Sequence, residues 1–277
     1  MGFRINTNVA SLTAQNSLNK VGKETQESFS KLSSGSRIAK AADDAAGLAI
    51  SEKMKAEIRS AKQADRNAND GISLIQVAEG GLNETSSILT RMRELSIQSA
   101  SDTVGDVERG MSNLEYQQLK QEIERISQVT EFNGKKLLDG EGEKLEFQIG
   151  TNGDEFKDRI AFDPSNVNAG LSSLGVQGLD VGTKEGAQDA LGSLDAAIEK
   201  VSGSRAVLGS IQNRLVSTSN NLQTYSENMS AANSRIRDTD YAEESAKQAR
   251  NSIISAAGSS VLAQANMSGQ NALKLVG

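Results

Sequence analysis

Histidine and cysteine are both absent from this 277-residue chain, so any chemistry must come from carboxylates, amides, hydroxyls and amines. That removes imidazole bases, thiolate nucleophiles and the usual zinc ligands together. The paired carboxylates Asp43-Asp44 could in principle form an acid–base or metal pair. No further ligand lies nearby, and in front of an alanine-rich run they read as caps of a helix N-terminus. Asp238-Thr239-Asp240 lacks the glycine and distal glutamate of a calcium loop, so it reads as a helix cap or hinge. Gly150-Thr151-Asn152-Gly153-Asp154 lacks the Gly-Lys-Ser/Thr of a phosphate loop and reads as a turn. Asn83, Asn228 and Asn266 head Asn-x-Ser/Thr sequons, but all three fall on predicted helices. No nucleophile, base and orienting group can be assembled. The expectation is no enzyme, no cofactor and no metal.

Composition narrows the field further. A net charge of −6 argues against nucleic-acid binding driven by phosphate contacts. Only 3% of residues are aromatic, tryptophan is absent and Pro164 is the sole proline, so small aliphatic residues must do the packing. No apolar run is long enough to span a membrane, and Met1–Leu12 lacks the apolar core of a cleaved secretory signal. Asn6 stands where myristoylation needs Ser or Thr. By these signals alone the chain would be cytosolic.

The elements carrying these residues are long helices. Ile50, Met54, Ile58, Ala61, Ala64, Ala68, Ile72, Ile75, Ala78, Leu82, Thr85, Leu89, Met92, Leu95 and Ser99 recur at a mean step of roughly 3.5 residues, the coiled-coil period. A matching seam runs through Ala187, Leu191, Leu194, Ile198, Val201, Leu208, Ile211, Leu215, Leu222, Tyr225, Met229, Ala232 and Ile236, with Arg205 and Thr218 at weak positions. The two seams are expected to pair antiparallel. Between them, a helix is predicted from about Val107 to Thr130, carrying Met111, Leu114, Leu119, Ile123, Ile126 and Val129. Phe132-Asn133-Gly134 is expected to end it, with Gly134 as a left-handed stop. The alternation Leu145–Ile149, followed by Phe156, Ile160 and Phe162, predicts a β-hairpin. Gly170–Gly186 reads as loop with at most one short helix.

The two ends share a different property. Neither Ile5–Asn19 nor Asn251–Leu273 contains a charge. Their serines, asparagines and glutamines are too many for lipid, yet their apolar residues fall on three-four grids. Helices without surface charge are built to be enclosed by protein. On their own they bury too little to offset the entropy of ordering, so they are expected to fold on assembly.

Several motifs belong together. Leu32–Ser51 resembles the N-terminal signature of bacterial flagellins. Phe132-Asn133-Gly134, Phe147-Gln148-Ile149-Gly150, Ser234-Arg235-Ile236-Arg237-Asp238-Thr239-Asp240-Tyr241-Ala242 and Val261-Leu262-Ala263-Gln264-Ala265-Asn266 match others in the same order. The resemblance spans essentially the whole chain.

It implies a mainly α fold, a long antiparallel coiled-coil bundle (the D0/D1 core) with a small β-hairpin region. Residues 1–45 plus 236–277 would form the terminal helix pair of an inner tube. Residues 46–235 would form the rod, with a hairpin near 143–163 and no large outer variable domain. The implied function is a self-assembling filament subunit for motility, exported by the flagellar type III system and located outside the cell. Alternatives are a hook–filament junction protein of the same family or a coiled-coil binding module that never polymerises. Self-assembly in the filament core is assigned to Ile5, Val9, Leu12, Leu18, Phe29, Leu32, Ile254, Val261, Leu262, Ala265, Leu273 and Leu275. Implied partners are further copies of the chain, an export chaperone on the C-terminal region, and hook-associated and cap proteins. Neither nucleic acid nor membrane is expected. A flagellin-sensing Toll-like receptor would meet Leu89, Arg91, Leu95 and Glu115. The competing reading leaves Leu89 in the seam and the arginines solvated.

Overall fold

The computed structural model describes the backbone of residues 7–276 and the side chains of residues 7–267. The chain is mainly helical, with a small β region, as the periodicities require. Helices α1 (Val9–Ser34), α2 (Ala45–Ala100) and α3 (Asp106–Val129) are followed by strands β1 (Glu131–Phe132), β2 (Lys135–Lys136), β3 (Leu145–Gln148) and β4 (Arg159–Phe162). A 3-10 turn at Pro164–Val167, the short α4 (Leu171–Leu174), α5 (Lys184–Arg237) and α6 (Tyr241–Val276) complete it. Two compact units result, one of residues 1–56 with 228–277 and the other of 57–227.

In the 57–227 unit α2 and α5 pair antiparallel. Tyr225 donates to Glu57, Ser219 to Asp65 and Arg93 to Asp195, and Lys184 binds Asp102, so one helix climbs as the other descends. Ala61, Ala64, Ala68, Ile75, Ala78, Leu82, Thr85, Leu89, Met92, Leu95 and Ser99 are all buried along α2. The α5 seam is buried as expected at Ala187, Leu194, Val201, Leu208, Ile211 and Leu215 and departs from expectation elsewhere. Ala190, Ala197, Ser204, Ser219 and Ser226 are buried, whereas Leu191, Ile198, Arg205 and Thr218 are half-buried and Tyr225 is exposed. Alanine and serine thus share the buried line with Leu194, Val201, Leu208 and Leu215, small and large residues filling it together.

Helix α3 packs on a face that the sequence grid picked out only in part, at Leu119, Ile123 and Ile126. Arg109, Tyr116 and Ile123 recur every seven residues and are buried, with Ile126 and Ser127. Met111, Leu114 and Val129 are instead exposed, at 66%, 70% and 59%. Arg109 tolerates burial because its guanidinium donates to the carbonyls of Ser99 and Ser101 and to Asp106, each at 2.9 Å.

Gly134 is left-handed, but it does not stop α3, which ends at Val129. Asn133 (φ 52°) and Gly134 (φ 76°) are the turn of a β1–β2 hairpin pairing Phe132 with Lys135. Both positive φ values suit a two-residue Asn-Gly turn. The corner that follows packs against α2 at Gly81, where a Cβ would sit 2.7 Å from Leu138 Cδ1. The second hairpin pairs Leu145 with Phe162 and Gln148 with Arg159, and Ile149, Ile160 and Phe162 enter the core.

Candidate assembly surfaces

The uncharged ends form an antiparallel helix pair inside their own unit. Asn8 caps α1 by accepting from Ser11 N, and its amide also donates to the Ala265 carbonyl at 2.8 Å. Ser11 Oγ donates to Asn266 Oδ1 at 2.8 Å. Gly258 lets α6 approach closely, since a Cβ there would lie 2.8 Å from Leu18 Cδ2. At the far end Ser28 hydrogen-bonds Glu244, and Arg37 N donates to the Arg237 carbonyl at 2.7 Å. Gly35, at φ 68°, ends α1 and accepts from Thr239 N.

Among the described residues the pair is joined by these polar contacts and buries few apolar side chains. Ser28 is the buried residue of α1, and Glu244 and Asn251 are buried on α6. The Ser28 hydroxyl lowers the pKa of Glu244, helped by the charges of Lys247 and Lys31, against the opposing effect of burial. Of the assembly residues expected from sequence, Val9, Leu12, Phe29, Ile254 and Val261 are exposed, at 58%, 59%, 63%, 44% and 57%. Leu18, Leu32, Leu262 and Ala265 are half-buried. Ile5 lies outside the described residues, and Leu273 and Leu275 fall on α6 beyond the described side chains.

The receptor residues separate. Leu89 and Leu95 are buried in the α2 seam. Arg91 is exposed, bonding Glu94 at 3.0 Å and Glu115 on α3 at 2.9 Å, and these two carboxylates raise its pKa. Only Arg91 and Glu115 of the set therefore meet at the surface. On the same helix as Glu115, Val107, Met111 and Leu114 form an exposed apolar stripe. Met111 and Leu114 belong to the apolar grid of the sequence, which by itself does not say which face is covered.

The acidic motifs are structural. Asp44 accepts from Gly47 N at 2.8 Å and caps α2, while Asp43 accepts from Ala39 N and Lys40 N. Those two backbone bonds hold the Asp43 carboxyl below its usual pKa. Asp240 caps α6 through Ala242 N and Glu243 N. In the 150–154 turn, Gln148 Nε2 donates to the carbonyls of Gly150 and Asn152. Among the described residues no three metal-ligating side chains gather, and no helix is long and apolar enough to cross a membrane.

Comparison with known proteins gives the same assignment at both ends. Residues 5–143 match the bacterial flagellin N-terminal helical region, and residues 191–276 match the C-terminal helical region. The flagellin of Halalkalibacterium halodurans is 44% identical over 272 residues, covering 98% of this chain and 99% of that protein. The flagellar filament 33 kDa core protein of Treponema phagedenis is 40% identical over 283 residues, covering 98% and 99%. A crystal structure of Bacillus cereus flagellin superposes with a TM-score of 0.51 at 33% identity, covering 61% of this chain and 94% of that one. With matches of this extent at both ends, the chain belongs to the bacterial flagellin family.

Proposed function

We propose that this chain is a structural subunit that polymerises into the extracellular flagellar filament, and that its terminal helices gain stable order only among neighbouring copies. One observation carries the reading: α1 and α6 are long and paired, yet Val9, Leu12, Phe29, Ile253, Ile254, Val261 and Met267 stay open to solvent. Their outer stretches carry no charge, and an apolar surface left open there needs more protein around it. Residues 1–45 and 236–277 then make an inner tube, and residues 46–235 make the next shell.

Ordering at the point of assembly is compatible with export of an unfolded chain through a type III channel. The serine, asparagine and glutamine side chains of the ends would line the filament channel and let later subunits pass without sticking. An export chaperone would cover the C-terminal region before assembly, and cap and hook-associated proteins would meet the filament ends. Receptor recognition, if a host is met, centres on Arg91 and Glu115.

Sheared filaments added to purified monomer test the main claim. Growth into long filaments, seen by negative-stain microscopy and pelleting, is the expected result. Seeds that never elongate would remove the filament role and favour a junction protein or a non-polymerising coiled coil.

A further inference from the structure

The terminal helix pair is not uniform around its girth. One side carries an apolar groove of about 460 Å³, lined by Ala10, Ala14 and Val21 of α1 and by Ile254, Gly258 and Val261 of α6. The groove stays open because Ala10 and Ala14 have only methyl groups to fill it, while Leu18 already packs over Gly258. Apolar surface left open to solvent in this way gains stability when other protein atoms cover it.

A different face of α6 carries what the groove lacks. Ile253, Ser260 and Met267 recur every seven residues, so they share one stripe along the helix. All three are exposed, Ile253 at 70% and Met267 at 62%. On a helical projection this stripe lies about a third of a turn from the groove-lining residues of α6. The lengths correspond: Ala10 to Val21 spans about 17 Å of helix and Ile253 to Met267 about 21 Å. Neither partner brings a charge into the contact, because Asn251–Leu273 has none and the groove begins in the uncharged Ile5–Asn19 stretch.

We propose that the groove of one copy receives the Ile253–Ser260–Met267 ridge of a second copy. Groove and ridge are different surfaces of one molecule, so the contact is head-to-tail and repeats without closing on itself. The proposal rests on the assembly reading above and says which surfaces meet.

The cysteine-free sequence allows a clean test. Full-length Ala14→Cys and Ser260→Cys variants are mixed, grown together from wild-type seeds and oxidised. The mixed filaments should yield disulfide-linked dimers on denaturing gels, whereas filaments of either variant alone should yield monomers. A mixture of Leu12→Cys with Ser260→Cys, whose Leu12 lies outside the groove, should also remain monomeric. In parallel, Ala14→Leu fills the groove and should raise the critical concentration for assembly about tenfold. Mixed filaments without dimers, as when some foreign helix fills the groove, would overturn the proposal. So would dimers within single-variant filaments, or an Ala14→Leu protein assembling at the wild-type concentration. Failure of the wild-type chain itself to elongate seeds would instead sink the filament reading.

Discussion

Arg109 is the residue whose placement was hardest to anticipate, since a guanidinium occupies a seam position on α3. Its partners explain it: the Ser99 and Ser101 carbonyls lie at and just past the end of α2, where helix carbonyls lose their intrahelical donors. Replacing Arg109 with leucine keeps the bulk but leaves those carbonyls without it. The monomer should lose about 2 kcal/mol of unfolding free energy, measured by urea titration followed by far-UV circular dichroism. Tyr116, seven residues on, is the opposite case. Its buried hydroxyl lies near Ser96, whose own hydroxyl donates to the Met92 carbonyl. The Tyr116 hydroxyl makes no hydrogen bond of good geometry among the described residues, and burial pushes its pKa up to about 12. Tyr116→Phe removes a desolvated polar atom and should leave the midpoint unchanged or raised, within about 1 kcal/mol. A large loss there would mean that the hydroxyl is satisfied after all.

Elements were legible in proportion to how far their pattern depended on apolar type alone. The α2 seam could be read because alanine, leucine, isoleucine and methionine mark it almost without interruption. Along α5 the buried line mixes Leu194, Val201, Leu208 and Leu215 with Ala190, Ala197, Ser204, Ser219 and Ser226. Apolar size marks the first group but equally marks Leu191 and Ile198, which sit half-buried beside the line. The Asn133-Gly134 turn carried the correct left-handed signal, but the strands around it are two residues each, too short to show alternation. For the terminal pair the helices could be read, while the polar latch between them could not. Its pH response follows from Glu244. Hydrogen bonding by Ser28 sets the folded pKa below the ordinary 4.5, so the contact contributes fully above 4.5 and is lost as pH falls through the folded value. Lys31 of α1 and Lys247 of α6 act in the same direction. Filaments should therefore melt at progressively lower temperature on acidification below pH 4.5. Glu244→Gln should flatten that dependence while lowering the melting temperature at pH 7, as scanning calorimetry would show.

At the scale of the whole molecule, the two units should differ in how much they owe to neighbours. The 57–227 unit has its own continuous core, from Leu82 and Met92 through Tyr116 and Phe162 to Leu194 and Leu208. Among its described residues the terminal unit has Ile38 and a few polar contacts in place of one. Proteolysis reads that difference directly, because cleavage reports local opening. In dilute monomer, trypsin should cut first at Lys20, Lys23 and Lys31 of α1 and at Lys247 and Arg250 of α6. Cleavage at Arg66 and Arg93 should be slower by at least about tenfold, in line with a core-anchored helix. After seeded assembly the terminal cuts should slow to the level of the rod, since the apolar faces of α1 and α6 would then be covered by adjacent copies. Monomer whose terminal sites resist trypsin as well as Arg66 does would show that the pair is stable alone, and the coupling of order to assembly would have to be abandoned.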